Sequence, residues 1–526
     1  MKKYYKVLQI IIFALTVANL VFFNACSSKS MNNRDMMESE VPYGGEEIIV
    51  DANGNEIGKM ANGNYNGEKY LEIVENKEIS TEQEFTVTFS LKIDTAAYTN
   101  ISRYINSGNL PPKDAVRTEE LVNYFNYDTE LYFNGDSPFA VHSETGRSFL
   151  NTDKYMAFVR IKTKDIDKNR LPACNLTFLI DTSGSMDSYD KLPLLKESFK
   201  LLVDTLSEND KVSIVTYAGN VGVALDSVSG TDKKAILNAI DRLQSGGSTA
   251  GSAGILTAYA LAEKNFKDNG NNRIILATDG DFNVGISDIE ELKKLIGHKK
   301  DSGIYLSVLG FGTGNIRDDI METLSKNGNG NYSYINNLST AKKVLVEELA
   351  SNLFTAADDV KAQIEFNPDY VKSYRLIGYE NRMMENKDFT DDAKNAGEIG
   401  AGTDIVLMYE LDFRQNVNVE NIINHNTQRN ANIFEVRIRY KTPGESESKQ
   451  ITEPVTFSNI RKNNSSDFNF ASSIAAFSHK LRDSEYAKDI TAEKVISLAE
   501  NNLGNDLNGY RKEFIDLLKK WKNLLK

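Results

Sequence analysis

A short polar loop with oxygen-bearing side chains directly follows a strongly apolar run near the middle of the chain. The run Leu176–Ile180 is followed by Asp181, Ser183 and Ser185, which stand at alternate positions. Carboxylate and hydroxyl oxygens are the ligands that hard divalent cations prefer. The run is typical of a buried parallel strand, and helical periodicity follows the loop. The loop is therefore expected at the carboxyl end of a strand, where open α/β sheets bind ligands.

Two further polar loops follow in order along the chain. Thr249 stands in a glycine-rich stretch, and Asp279 follows a second apolar run. Together, the three loops resemble the metal-ion-dependent adhesion site of von Willebrand factor type A domains. This resemblance implies one divalent cation, Mg²⁺ or alternatively Ca²⁺ or Mn²⁺, held by Asp181, Ser183, Ser185, Thr249 and Asp279. It also implies that the cation accepts a carboxylate from a partner protein.

Helix capping is the alternative for such residues. Asp, Ser and Thr after a strand often cap the next helix, and the first loop alone is compatible with that interpretation. The other two loops in register favour the metal interpretation. Asp281 and Asn283 are weaker candidates, which more often shape a turn. The pair Asp94–Thr95 also has a polar, loop-like pattern, but there we expect a helix cap.

The segments around the three loops alternate between strands and amphipathic helices, which predicts an α/β domain with a doubly wound, mostly parallel sheet. A nucleotide-binding domain of similar layout would need a glycine-rich phosphate loop after the first strand, and the sequence has none there. The predicted strands are Leu176–Ile180, Lys211–Tyr217, Val221–Leu225, Ile274–Thr278 and Tyr305–Phe311. The predicted helices are Lys191–Leu206, Asp232–Leu243, Ser252–Phe266, Ile286–His298, Ile316–Ser325 and Thr340–Leu353.

The amino terminus has the features of a secretory signal. A basic opening precedes an apolar stretch from Val7 to Phe23, and Ala25 precedes Cys26. This arrangement resembles a bacterial lipoprotein signal, which implies cleavage before Cys26 and attachment of a lipid such as palmitate. An uncleaved anchor helix is the alternative, but the apolar stretch is short for a membrane span. We therefore expect a lipid-anchored protein of the cell envelope, on the outer membrane or a periplasm-facing membrane.

Composition and pattern divide the chain into five segments. We predict an α+β region before the A-type domain and a region after it that is β-rich and then helical. Both flanking regions resemble those of a family of bacterial A-domain lipoproteins, and the resemblance spans roughly residues 85 to 525. The segments are a signal peptide at 1–25, a flexible tether at 26–80, an amino-terminal region at 81–172, the A-type domain at 173–354 and a carboxyl-terminal region at 355–526.

Composition excludes several classes of function. The net charge of −13 argues against nucleic-acid binding and against direct attraction to an anionic membrane. Apart from Cys26, the only cysteine is Cys174, for which we expect a buried, inert thiol. The four histidines stand in no recognisable motif, and no nucleophile elbow with a Ser-His-Asp order is present. We therefore expect a protein-binding module rather than an enzyme, with a metal-independent scaffold or a metal-assisted hydrolase as alternatives.

Overall fold

The computed structural model describes residues 48–50, 56–59, 67–92, 94–166, 172–218, 221–247, 251–280, 289–425 and 428–525. These residues belong to one unit, Glu47–Lys526. The predicted signal peptide, the lipidation site Cys26 and most of the predicted tether lie outside them. So do Thr249, Asp281 and Asn283.

The described residues contain strands and helices in nearly equal measure. The strands are β1 Ile48–Val50, β2 Glu56–Lys59, β3 Ile79–Ser80, β4 Thr86–Ser90, β5 Phe139–Arg147, β6 Tyr155–Thr163, β7 Cys174–Asp181, β8 Lys211–Tyr217, β9 Val221–Ser229, β10 Asn271–Thr278, β11 Ile304–Phe311, β12 Asn329–Ile335, β13 Thr355–Phe366, β14 Val371–Ile377, β15 Met383–Met384, β16 Ile399–Gly400, β17 Asp404–Phe413, β18 Asn432–Lys441 and β19 Ser448–Thr456. The α-helices are α1 Ala96–Asn106, α2 Thr118–Val122, α3 Leu192–Thr205, α4 Lys233–Asp241, α5 Gly251–Lys264, α6 Ile289–Asp301, α7 Asp318–Asn327, α8 Leu338–Lys342, α9 Leu349–Leu353, α10 Val419–His425, α11 Ser466–Leu481, α12 Ala492–Asn501 and α13 Tyr510–Leu524.

The predicted doubly wound domain is confirmed. Its six-stranded sheet has the order β12-β11-β10-β7-β8-β9, and every pairing is parallel except that of β9 with β8. Central strands β7 and β10 are buried along their whole length because helices cover both faces. One apolar cluster packs strand residues against α3 and α4, and another packs them against α5, α6 and α7. Adjacent parallel strands bring the ends of β7 and β10 together, which positions the candidate site.

A β-sandwich is built from segments on both sides of this domain in sequence. One sheet has the order β15-β4-β13-β18-β19, with β16 paired to β13, and the other has the order β3-β14-β17-β6-β5. Strand β4 pairs with β13 and β6 pairs with β17, so residues before 172 and after 355 share both sheets. A large apolar cluster contains side chains from both sheets. The chain therefore enters the sandwich, leaves it to form the A-type domain and returns.

Helices α1, α2, α11, α12 and α13 share a third apolar cluster with side chains of β6 and β17. Trp521, expected to be a core or docking residue, is 1% exposed within this cluster. Cys174 is buried as expected, and burial raises the pKa of its thiol to about 12. Such a thiol stays protonated and unreactive near neutral pH.

One predicted helix is irregular, and one predicted helix cap is wrong. The predicted helix Thr340–Leu353 is divided into α8, a π-helical stretch Lys343–Glu347 and α9. Asp94 is not a helix cap, and Thr95 at the start of α1 makes no capping bond through its side chain. Asp94 instead accepts a hydrogen bond from the backbone N–H of Tyr332 at 2.9 Å and one from Arg382 at 2.8 Å. Partners distant in sequence thus determine its role.

Candidate functional site

The first polar loop begins with the last residue of β7. Asp181 is completely buried, and its Oδ1 accepts a hydrogen bond from the backbone N–H of Ser183 at 2.8 Å. This bond turns the chain sharply, and the hydroxyls of Ser183 and Ser185 then lie 2.9 Å apart. Three of the predicted oxygen donors are therefore neighbours in space.

The second loop is hydrogen-bonded to the first through its backbone. The N–H of Gly184 donates to the carbonyl of Gly247 at 3.1 Å, and the N–H of Gly246 donates to the carbonyl of Thr182 at 2.8 Å. Thr249 itself lies outside the described residues, two positions beyond Gly247. Its side chain therefore stays a prediction.

The third loop brings Asp279 to the same place. Asp279 directly follows β10, which is the neighbour of β7, and it is completely buried. The hydroxyl of Thr278 lies 3.3 Å from Asp181 Oδ2, and Ser185 is within hydrogen-bonding reach of Asp279. The next residue, Gly280, has a positive φ of 97°, and a Cβ there would lie 2.6 Å from the backbone nitrogen of Arg317. Only glycine fits this turn.

The two buried carboxylates have different electrostatic surroundings. Burial raises the pKa of Asp181 to about 6, and the negative charge of Asp279 adds to this effect. Burial also acts on Asp279, but bonds from Lys191 and Asn315 outweigh it and lower the pKa of this carboxyl. Among the described residues, Asp181 thus has no cationic partner, whereas Asp279 pairs with Lys191.

Sequence reasoning missed four residues that touch these carboxylates. Lys191 donates to Asp279 Oδ2 at 2.8 Å, and Asn315 donates to the same oxygen at 3.1 Å. The hydroxyls of Tyr217 and Thr278 both lie 3.3 Å from Asp181 Oδ2. Thr278 stands next to Asp279 in sequence and could have been noticed. Asn315 follows β11 and Tyr217 ends β8, so their positions at strand ends were the available signal.

No group of three His, Cys, Asp or Glu side chains placed to hold a metal occurs among the described residues. Nor does any described helix have the length and apolar character needed to cross a membrane. Among the described residues, the candidate site instead combines two carboxylates, Asp181 and Asp279, with neutral hydroxyls.

Family models match most of the chain. The model of the von Willebrand factor type A domain matches residues 175–348, a von Willebrand factor model matches residues 64–157, and the model of the carboxyl-terminal region of the uncharacterised protein YfbK matches residues 351–524. YfbK of Escherichia coli (strain K12) is 42% identical over 463 residues, which cover 86% of this chain and 80% of that protein. The chain belongs to the YfbK family.

Similarity beyond the YfbK family is weaker. The uncharacterised protein sll0103 of Synechocystis is 25% identical over 303 residues, which cover 56% of this chain and 68% of that protein. A solved von Willebrand factor type A structure from Catenulispora acidiphila has 16% identity and a TM-score of 0.41, and the match covers 73% of this chain and 92% of that one. The family models therefore assign to this chain an A-type domain followed by the carboxyl-terminal region of the YfbK family.

Proposed function

We propose that the chain is a protein-binding module that holds a divalent cation at Asp181, Ser183, Ser185, Thr249 and Asp279. The cation is Mg²⁺, with Ca²⁺ or Mn²⁺ as alternatives, and its ligand is an Asp or Glu side chain of a partner protein. The observation that supports this most strongly is the convergence of two buried carboxylates and two hydroxyls at the ends of adjacent parallel strands. A-type domains typically serve in protein interactions, which fits the proposal.

The donor chemistry fits a hard cation. Every described side chain among the proposed ligands offers oxygen, and Mg²⁺ and Ca²⁺ are bound by oxygen ligands. The carboxylate of Asp181 is buried, and the described side chains that hydrogen-bond to it are uncharged hydroxyls. A buried carboxylate without a counter-charge is unfavourable. A bound cation would supply that charge and an electrophilic position for an incoming carboxylate.

The cellular context of the proposal comes from the amino terminus. Lipidation at Cys26 would attach the chain to the cell envelope, and the segment between Cys26 and about residue 66 would act as a tether. The predicted tether reached residue 80, but Tyr70 and Leu71 are buried and Ile79–Ser80 forms β3, so residues 67–80 belong to the folded part. Partner proteins would then be other components of the envelope or proteins exposed to it. No nucleic acid is expected as a partner because of the acidic net charge.

The proposal does not include catalysis. A metal-assisted hydrolase would need a general base beside the cation and a cleft for a substrate. The described side chains closest to Asp181 and Asp279 are hydroxyls, an amide and a lysine that is paired with Asp279. A metal-independent scaffold is the remaining alternative, and it differs from the proposed module in that its partner binding would not depend on metal.

The decisive experiment is a pull-down from detergent-solubilised envelope with the full chain. It compares Mg²⁺ with EDTA, and wild type with Asp181→Ala and Asp279→Ala. Asp226→Ala is the matched control, because this exposed carboxylate lies on edge strand β9 of the same domain and bonds to Lys264 and Asn265 at the surface. We expect a partner that requires metal, Asp181 and Asp279 but not Asp226. A partner captured equally with EDTA would instead favour the scaffold.

The full chain is preferable to a truncation at residue 80. The backbone of Lys69 donates to the carbonyl of Ile316 at 2.9 Å, and Glu68 accepts the N–H of Gly314 at 3.1 Å. Removing residues 67–71 would therefore expose the loop that contains Asn315. A loss of binding in such a truncation would not report on the metal loops alone.

A further inference from the structure

A positively charged side chain, that of Lys191, lies inside the candidate site. The ammonium of Lys191 lies 2.8 Å from Asp279 Oδ2 and 3.3 Å from Asn315 Oδ1. The side chains of Lys191 and Asp279 are 8% and 0% exposed. A Cβ atom at Gly312 would overlap the methylene groups of Lys191, so the lysine side chain passes through a space that only glycine leaves open. This lysine is enclosed beside the metal loops rather than reaching in from the surface.

Lys191 changes the charge balance of the site. When both carboxylates are ionised, Asp181, Asp279 and Lys191 together have one negative charge. A divalent cation would turn this into one positive charge, and a single carboxylate from a partner would bring it to zero. With a neutral side chain at position 191, the cation alone would reach zero, and a partner carboxylate would add an unbalanced negative charge. Unbalanced charge is strongly unfavourable in a buried site.

We propose that Lys191 is a specificity-determining residue that makes the metal-loaded site select an anionic ligand while it weakens the binding of the cation. The inference rests on the proposed function and names a determinant of its ligand class. Lys191 acts through its charge, at a distance set by its bond to Asp279. A full charge about 5 Å from a bound ion changes the affinity of that ion at least about tenfold, even in an effective dielectric of about 20.

A purely structural ion pair predicts a different result. If Lys191 only held Asp279 in place, its replacement would disorder the third loop, and the affinities for cation and anion would fall together. The electrostatic role predicts opposite signs: tighter cation binding and weaker anion binding. The two affinities must therefore be measured separately in the same variant.

The test uses Mn²⁺ binding to the full chain, followed by the paramagnetic resonance signal of free Mn²⁺, without and with sodium acetate at constant ionic strength. The variants are Lys191→Met, Lys191→Gln and Lys191→Arg. Gln keeps a hydrogen-bond donor without charge, and Arg keeps the charge. Lys196→Met is the control, because Lys196 lies on α3, which begins directly after Lys191, and donates to the backbone carbonyl of Asp241 away from the site. Thermal unfolding in EDTA shows which variants are folded.

We expect Lys191→Met and Lys191→Gln to bind Mn²⁺ at least about tenfold more tightly than wild type without acetate. We also expect them to lose most of the acetate-dependent gain in Mn²⁺ affinity, whereas Lys191→Arg and Lys196→Met keep it. Unchanged or weaker Mn²⁺ binding by the folded Gln variant would overturn the role of Lys191. If wild type, the Lys191 variants and Asp181→Ala all fail to bind Mn²⁺, the metal site itself is wrong, which is a separate outcome.

Discussion

Two regions of the molecule bury carboxyl groups, and they obtain the opposing charge in different ways. One is the candidate metal site with Asp181 and Asp279. The other, which we term the charged cluster, lies where the segment around α2 meets α7 of the A-type domain. The charged cluster consists of Lys92, Asp94, Arg117, Glu120, Asp318, Glu322 and Arg382, all at least nine-tenths buried.

The charged cluster is neutralised from within the chain. Arg117 donates to Glu120 at 2.5 Å and to Asp318 at 2.6 Å, and Arg382 lies 2.8 Å from Asp94. The cluster has four carboxyl groups and three cations. Burial raises the pKa of Glu120 to about 8 although Arg117 opposes this effect, so the surplus carboxyl takes up a proton near neutral pH. Groups of the chain itself thus compensate the buried charges of this cluster.

The candidate metal site contains one carboxylate, Asp181, that no cation among the described residues compensates. The pKa of Asp181 is raised to about 6, so this carboxyl is mostly ionised at neutral pH. The hydrogen bonds that the described residues give it come from neutral groups. Buried carboxylates alone therefore do not mark a functional site. The informative feature is an ionised buried carboxylate that no cation among the described residues pairs with.

The largest expected effect concerns the charged cluster. Arg117→Met should reduce the free energy of unfolding by about 3–5 kcal/mol, because removing one partner leaves buried carboxylates uncompensated. Chemical denaturation with two spectroscopic probes would measure it. Arg147→Met is the control: Arg147 pairs with Glu420 at the surface, and its loss should change the unfolding free energy by less than about 1 kcal/mol. Equal effects of the two substitutions would show that the buried carboxylates of the charged cluster do not depend on Arg117 for their opposing charge.

Asp181→Asn should instead increase the free energy of unfolding of the metal-free protein. The pKa of Asp181 rises from 3.8 to about 6 on folding, so its ionised form disfavours the native state by about 3 kcal/mol above pH 6. This penalty is absent below about pH 4 and grows between pH 4 and 6. Without metal, wild type should therefore lose stability over this interval relative to the variant. Added Mg²⁺ should raise the melting temperature of wild type but not of Asp181→Asn. A metal-free variant less stable than wild type at pH 7 would contradict this account.

These two regions also differ in how far the sequence predicts them. Asp181, Ser183, Ser185 and Asp279 follow apolar strands, and parallel neighbours bring strand ends together, so local pattern predicted that these residues meet in space. Lys191 stands ten residues beyond Asp181, and its pairing with Asp279 depends on how α3 packs beside the turn at Gly312. No local pattern encodes that distance.

The rest of the fold shows the same limit. The strands of the A-type domain were predicted because their hydrophobic runs are long and alternate with amphipathic helices. The pairing of β4 with β13 joins residues separated by the whole A-type domain. Similarly, Asp94 has the composition of a helix cap, but Arg382 and the backbone of Tyr332 are its partners. Long-range pairings of this kind lie beyond periodicity and propensity.

Asp279→Asn should reduce the free energy of unfolding, but by less than Arg117→Met does. Lys191 and Asn315 lower the pKa of Asp279 despite its burial, so its ionised form stabilises the native state at neutral pH. The substitution should therefore destabilise the metal-free protein by about 1–3 kcal/mol, because the buried Lys191 loses its counter-charge. Denaturation in EDTA at pH 7 beside Asp181→Asn provides the test. Asp181→Asn should stabilise the metal-free protein and Asp279→Asn should destabilise it. Effects of the same sign would show that the two carboxylates are electrostatically equivalent.

The smallest effect on the free energy of global unfolding is expected for Glu68→Gln. This substitution tests whether an ion pair like those of the charged cluster holds the candidate site in place. Glu68 accepts hydrogen bonds from Arg103 at 3.0 and 2.9 Å, and from Tyr104 at 2.6 Å. Its Oε1 also accepts the N–H of Gly314, next to Asn315. We expect global unfolding to change by about 1 kcal/mol, because glutamine keeps one acceptor oxygen.

The local effect of this substitution should be clearer than the global one. Amide hydrogen exchange in EDTA should become several-fold faster at residues 312–317, because loosening Glu68 frees the N–H of Gly314 and the loop around it. Glu82→Gln is the matched control, since Glu82 forms a surface ion pair with Arg414. Exchange that accelerates equally in both variants, or in neither, would show that residues 67–71 do not hold this loop. Selective acceleration would instead connect residues 67–71 to Asn315 and through it to Asp279.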